Sequence, residues 1–369
     1  MPYSEKVYGE HSYEVLTSSR EGLQRQSDHF ATEQRHDTDG YNVIPFGYCT
    51  YRNRSDDGKF TFNMNKISEN GIVSKFYPVF TFENANSEFM IEYLNSSENI
   101  KKKLAVLAVG TSQVVLSFEA LKKAQFPIPC KAEQDRIAAL LECINRRIVA
   151  QSKIVDSLKK YKRGLLQGIF NELINRYTKR SLKEVTILFA DGDWIESKDQ
   201  AQNGIRLIQT GNIGFGVYLD KPQNAKYISE ETFYRMKCLE VMAGDILISR
   251  LPDPAGRACI VPETRQRLIT AVDCTIVRVD KTVLDRGFLL QFLCSEQYLK
   301  TVGSFLAGGT RQRISRKNLE EIKVPYPPLE TQKHYGIFLS KIDCRIENAE
   351  ATLQRLKEVR HCMMQQLFI

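Results

Sequence analysis

From Gln134 onward the apolar residues fall at Ile137, Leu141, Ile144, Ile148, Val155, Leu158, Leu165 and Ile169, in steps that alternate four and three. Gln151 and Lys162 are polar members of the same series. This is a heptad seam sustained for about five heptads, and it predicts a long helix over about 133–170. The pattern returns at Tyr335, Leu339, Ile342, Ile346, Ala349, Leu353, Leu356, Arg360, Met363 and Leu367, predicting a second helix over about 332–368. The polar breaks at Lys162 and Arg360 fall at equivalent places. So narrow a seam is not the broad apolar stripe of a helix laid on a globular core. It calls for one partner helix of similar length, and each seam is the natural mate of the other. About 38 residues at about 1.5 Å each make a rod of roughly 57 Å.

The two seams are the ends of a longer repeat. Phe126-Pro127-Ile128-Pro129 followed by Gln134 matches Val324-Pro325-Tyr326-Pro327 followed by Gln332, an offset of 198 residues that holds from Leu121/Leu319 to Phe170/Phe368. Upstream the offset is 199, with Phe89 to Gly110 matching Phe288 to Gly309, and before that 197, with Gly71-Ile72-Val73-Ser74 matching Leu268-Ile269-Thr270-Ala271. A period near 200 is too long for a solenoid, whose repeats run roughly 20–50 residues. The prolines hold the chain extended and mark where each helix begins.

Within the copies the pattern shortens to strands and turns. Gly204 to Thr210, Gly244 to Arg250 and Ala271 to Val279 read as strands, Gly211 to Gly216 as a glycine-rich turn, and Phe288 to Tyr298 as a helix. The first copy answers with Ser12 to Ser18, Gly47 to Arg52, Ser74 to Phe82, and a helix from Phe89 to Ile100. The predicted class is α+β: two repeated domains with mixed or antiparallel sheets, each followed by a long helix, the two helices pairing as an antiparallel coiled coil. The expected segments are 1–130, 131–178, 179–330 and 331–369. Matching Ser12 to Gly204 leaves 179–192 without a counterpart, so the first copy either lacks an opening strand or has a shortened N-terminus.

Composition adds limits. No apolar run approaches the eighteen or so residues of a membrane span, and the N-terminus carries no secretory pattern. The nine cysteines form no Cys-x-x-Cys pair, and no two of the five histidines have metal-ligand spacing, which points to a reducing cytoplasm without a zinc site. The net charge of +8 permits a polyanionic partner without requiring one. The first seam is basic, with eight Lys/Arg against four acids over 133–170.

The order of motifs, given twice, resembles the DNA-specificity subunit of type I restriction–modification systems. The carriers are the duplicated domain, Gly-Asp-Ile-Leu-Ile-Ser-Arg at Gly244 to Arg250, Gly-Thr-Arg-Gln-Arg-Ile-Ser at Gly309 to Ser315, the Val-Pro-Tyr-Pro-Pro-Leu-Glu-Thr-Gln lead-in at Val324 to Gln332, and the long helix after each copy. The resemblance covers nearly the whole chain. Cys130 for a second proline, Thr331 for a glutamate, and Tyr48 opposite Asp245 are departures from the pattern. The resemblance implies that each target-recognition domain reads one half of a bipartite site on double-stranded DNA, and that the helix pair spaces the halves. It also implies two flanking methyltransferase subunits and further restriction subunits. S-adenosylmethionine, Mg²⁺ and ATP would then belong to those partners, with no cofactor on this chain.

The alternative is a stand-alone methyltransferase or nuclease, and the motifs for it are missing. Pro325-Tyr326-Pro327-Pro328 has the letters of a methyltransferase loop in the wrong order. Asp191, Asp193, Glu196 and Lys198 lie too close together to form a nuclease site from two strands. The glycine-rich stretches at Gly211 and Gly308 have no following lysine to hold phosphate. A scaffold that binds no DNA is the third reading. For DNA reading the candidates are residues able to meet base edges or phosphates next to turns. They are Ser18, Ser19 and Arg20; Arg52, Asn53 and Arg54; Gln113; Lys198; Thr210 and Asn212; Arg250 and Arg257; and Arg311, Gln312 and Arg313. The last three either read bases, or cap the next helix or meet phosphates.

Overall fold

The computed structural model describes residues 1–29, 37–96, 98–110, 113–252, 254–306 and 312–368. The chain divides into two compact units. One comprises Met1–Ser152 with Ala351–Ile369, the other Lys153–Glu350. Each unit therefore holds one globular copy, the first half of the long helix that follows it, and the second half of the other copy's long helix.

The repeat is visible in the sheets. In the first unit one sheet pairs Cys49–Tyr51 antiparallel with both Phe62–Met64 and Val79–Phe80, and Val79–Phe80 with Pro2–Tyr3. In the second, Ile246–Ser249 pairs antiparallel with Ala258–Ile260 and Cys274–Val279, and Cys274–Val279 with Thr186–Asp191. A second sheet in each unit contains a parallel pair: Glu14–Ser19 with Asn70–Val73, and Ile205–Ile208 with Leu268–Thr270. The strand Pro2–Tyr3 occupies the place of Thr186–Asp191, so the first copy has an opening strand, two residues long. The pair Lys179–Ser181 with Lys323–Pro325 has no counterpart among the described residues of the first unit.

Two expected elements differ. The helix read from Phe288 to Tyr298 is two helices, Arg286–Leu293 and Glu296–Ser304, because the Ser295 hydroxyl accepts from Tyr298 N and caps a new helix. The first copy repeats the break, with helices Ser87–Ser96 and Glu98–Leu107. The strand read from Ser74 to Phe82 shrinks to Val79–Phe80, since the backbone turns from Ser74 to Tyr77.

The long helices run Lys131–Arg176 and Leu329–Leu367. Both start on the same buried device. The Gln134 side chain accepts from Asn86 N at 2.9 Å and donates to the Pro129 carbonyl at 2.8 Å. Gln332 accepts from Asp285 N at 2.9 Å and donates to the Pro327 carbonyl at 2.8 Å. These glutamines are 2% and 0% exposed, so each satisfies backbone groups that water does not reach.

Along the seam the helices pair antiparallel. Lys159 meets Glu350 at 2.6 Å and Lys162 meets Asp343 in the second unit. In the first, Asn145 meets Arg360 at 2.6 Å while Ile137, Ala138 and Leu141 share a core with Met364 and Phe368. Near each helix's end the buried face shifts from the heptad positions to Leu166, Phe170 and Leu173, and to Met364 and Phe368. There the helix enters the other copy's domain. Phe170 packs on Phe288 and Phe292 with ring centroids 5.5 and 5.4 Å away, and Phe368 packs on Phe89 and Tyr93 at 5.5 and 5.6 Å. Truncating a buried phenylalanine to alanine costs about 3–5 kcal/mol, so each helix end contributes substantially to its unit.

Candidate nucleic-acid interface

In the first unit three segments converge on one cleft. The strands Glu14–Ser19 and Gly22–Arg25 form a hairpin whose two-residue turn presents Arg20. The strand Cys49–Tyr51 ends at Arg52, and Arg54–Ser55 then pairs with Val114–Val115. Asp56-Asp57-Gly58 turns the chain, Gly58 taking a positive φ of 71° that suits glycine, and brings Lys59 to the same place. The resulting cleft measures about 460 Å³ and is lined by Ser18, Ser19, Arg20, Arg52, Arg54 and Lys59, with Thr17, Ser55, Asp56, Thr61 and Tyr77 completing the wall.

The cations of this cleft differ in how free they are. Arg20 is tied to Asp57 at 2.6 Å, and the guanidinium of Arg54 lies 5.0 Å from the ring centroid of Phe76, itself half exposed. Arg52 and Lys59 have no ion-pair partner among the described residues. Hydrogen bonds from the Ser55 hydroxyl and the Arg20 guanidinium hold the Asp57 carboxyl down to about 2. Gln113 joins the rim by donating to Asp56 at 3.0 Å. Ser18 is buried and accepts from Asn63 at 2.8 Å, and Ser19 closes the hairpin by donating to the Gly22 carbonyl at 3.0 Å. These two serines shape the wall. Asn53 is half-buried, and its carbonyl accepts from Leu116 N.

The second unit gathers the equivalent positions, but most of its candidates have structural work. Arg257 donates to four backbone carbonyls, Ile213 at 2.7 Å, Thr210 at 2.9 Å, Leu251 at 3.0 Å and Pro254 at 3.1 Å, and so clamps two loops together. Asn212 is buried, accepting from Gln209 N and donating to the Leu219 carbonyl. Arg250 is 4% exposed, donates to the Val272 carbonyl at 2.6 Å and faces Asp191 at 3.3 Å. Burial lowers its pKa, and Asp191 opposes that shift. Arg257 and Asn212 thus donate to backbone carbonyls, and Arg250 is buried, so these three candidates are engaged within the domain. Arg313 is exposed and pairs with Asp273 at 2.9 Å beside Arg250, and Gln312 is exposed next to it. Arg311 lies outside the described residues. Thr210 is half-buried, and Lys198 pairs with Glu196 at 2.8 Å on the surface.

Sequence reasoning missed Lys59, Phe76 and Tyr77 in the first unit and the acids Asp191 and Asp273 in the second. The Asp56-Asp57-Gly58 turn was a legible signal for Lys59, whereas the others depend on strand pairings that no local pattern announces.

The family model for the type I restriction modification DNA specificity domain matches residues 12–175 and again 174–358. A putative type I restriction enzyme MjaX specificity subunit of Methanocaldococcus jannaschii is 25% identical over 276 residues, 72% of this chain and 63% of the relative. The type I restriction enzyme MjaVIII specificity subunit of the same organism is 23% identical over 278 residues, 69% of this chain and 64% of the relative. The chain thus spans a little under two thirds of the length of both. Among solved structures, the S subunit of a type I restriction–modification system from M. genitalium aligns with a TM-score of 0.62 at 16% identity, covering 100% of this chain and 92% of that one. A chain from a study of complex assembly and conformational transition of the type I R-M system aligns at 0.53 and 20% identity, covering 89% and 83%. At such identities the solved structures speak for the fold alone.

Proposed function

Since the chain belongs to the type I restriction–modification DNA-specificity family, we propose that it selects the DNA sequence on which such a complex acts and catalyses no step itself. Each recognition domain reads one half of a bipartite site on double-stranded DNA, and the helix pair sets the gap between the halves. The observation that carries this reading is the cleft formed by Arg20, Arg52, Arg54 and Lys59, where cations, hydroxyls and an exposed phenylalanine meet. Such a mixture suits phosphate contacts that position the duplex, with side chains at hand for base edges. The second unit offers Gln312 and Arg313 at the corresponding end, so the halves read differ.

The partners are two methyltransferase subunits and the restriction subunits. S-adenosylmethionine, Mg²⁺ and ATP belong to them. Exposed Leu140, Val149, Ile154, Tyr161 and Ile337 on the long helices support docking there. No helix among the described residues is long and apolar enough to cross a membrane, in keeping with action on DNA in the cytoplasm. The test is methyl transfer from labelled S-adenosylmethionine to DNA. The chain alone transfers nothing, and adding the methyltransferase subunits produces transfer confined to a bipartite sequence. Transfer by the chain alone, or sequence-independent transfer by the mixture, overturns the proposal.

A further inference from the structure

Each unit contains a partly buried polar triad set into the largely apolar seam, and the two triads are related by the repeat. In the first unit Arg360 donates to Asn145 and to Glu92, both at 2.6 Å, and Asn145 donates to Glu92 at 3.2 Å. In the second, Lys162 donates to one oxygen of Asp343, and Gln291 donates to the other at 2.8 Å. Arg360 and Lys162 are repeat-mates, as are Asn145 and Asp343, and Glu92 and Gln291. Each triad has one cation, one anion and one amide, but the anion has changed places. It sits on the domain's helix in the first unit and on the long helix in the second. The cation always comes from the long helix of the other copy. These groups are partly buried, with side chains 31% and 21% exposed for Arg360 and Glu92 and 15% and 33% for Lys162 and Asp343.

An apolar heptad seam looks the same after a slip of one heptad, whereas a polar member at a fixed position does not. A slip would strip a partly buried cation of its partners. The third member of each triad also ties the recognition domain to the pair. We propose that the two triads set the gap of the bipartite site: they fix the axial register of the helix pair and the seating of each recognition domain on it. Glu92, Asn145, Arg360, Lys162, Gln291 and Asp343 are thus positioning residues for gap length. This rests on the reading of the chain as a specificity subunit.

The exchanged anion supplies the test. The chain is expressed with its methyltransferase partners and methylated positions are mapped across a host genome. The wild type reports first on the parent reading, which fails if no bipartite motif appears. Glu92→Gln removes the only anion of the first triad, and Glu92→Gln with Asn145→Asp restores it in the arrangement of the second. Asp343→Asn, alone and with Gln291→Glu, is the reciprocal pair. Each single variant raises the share of methylation at gaps about three base pairs off, the span of a one-heptad slip of about 10 Å at about 3.4 Å per base pair, by about tenfold, equivalent to about 1.4 kcal/mol, with both half-sequences unchanged. Each double variant returns it to the wild-type level. Single variants as strict as the wild type, or doubles that fail to restore strictness, overturn the proposal. If a single variant does not assemble, its double decides: recovered assembly with the original gap supports the proposal, and no recovery overturns it.

Discussion

Gln332 offers a clean perturbation because it is fully buried and its bonds are known. Gln332→Met keeps the length of the side chain but removes both its amide donor and its carbonyl acceptor. Asp285 N, at 2.9 Å, and the Pro327 carbonyl, at 2.8 Å, lose their partner, and the Val283 carbonyl loses a longer bond of 3.2 Å. A buried group left unsatisfied costs about 1–3 kcal/mol, so two of them cost about 2–6 kcal/mol. The cost falls on the unit Lys153–Glu350. Hydrogen exchange followed through a urea series measures it directly: protection of Arg286–Leu293 falls, and protection of Ser87–Ser96 stays. Gln134→Met, which orphans Asn86 N and the Pro129 carbonyl, does the reverse. A loss below about 1 kcal/mol, or equal loss in both units, refutes the reasoning.

Three further outcomes follow from the same structure. Inserting four residues after Ser152 and four after Glu350, where each helix passes from one unit to the other, adds about 6 Å of helix. The gap then lengthens by about two base pairs, at about 3.4 Å each, with both half-sequences kept; a folded, assembling variant that methylates only the original spacing sinks the idea. Arg52→Ala weakens duplex binding and lowers the salt slope by about one, and an unchanged slope and affinity would remove Arg52 from the interface. Asp57 has a carboxyl depressed to about 2, so its contribution is present above its ordinary value near 3.8 and is lost as pH falls from there through about 2. An NMR titration of Asp57 that is unchanged by Arg20→Ala contradicts that origin, since the Arg20 guanidinium is one of its two side-chain donors.

The heptad seam, the repeat and the proline-led helix starts were legible because each rests on local spacing. The docking of Phe170 and Phe368 into the opposite copy's domain was not, because a heptad reading stops at the seam and the shift to the neighbouring face depends on what waits there. The break at Ser295 was a capping signal overlooked inside an apolar run. Arg250, Arg257 and Asn212 looked like readers for the same reason that Arg52 did: they are polar residues beside turns. Burial of Arg250 and Asn212, and the four backbone carbonyls that Arg257 reaches, set them apart from Arg52, and no single segment encodes either.

The central claim is that each copy reads its own half of the site, and exchanging residues 179–330 for the matching part of a relative tests it most directly. Mapping methylated positions before and after the exchange should show one half-sequence replaced, with the other half unaltered. A change in both halves together would mean that the domains read DNA jointly, and would contradict the account.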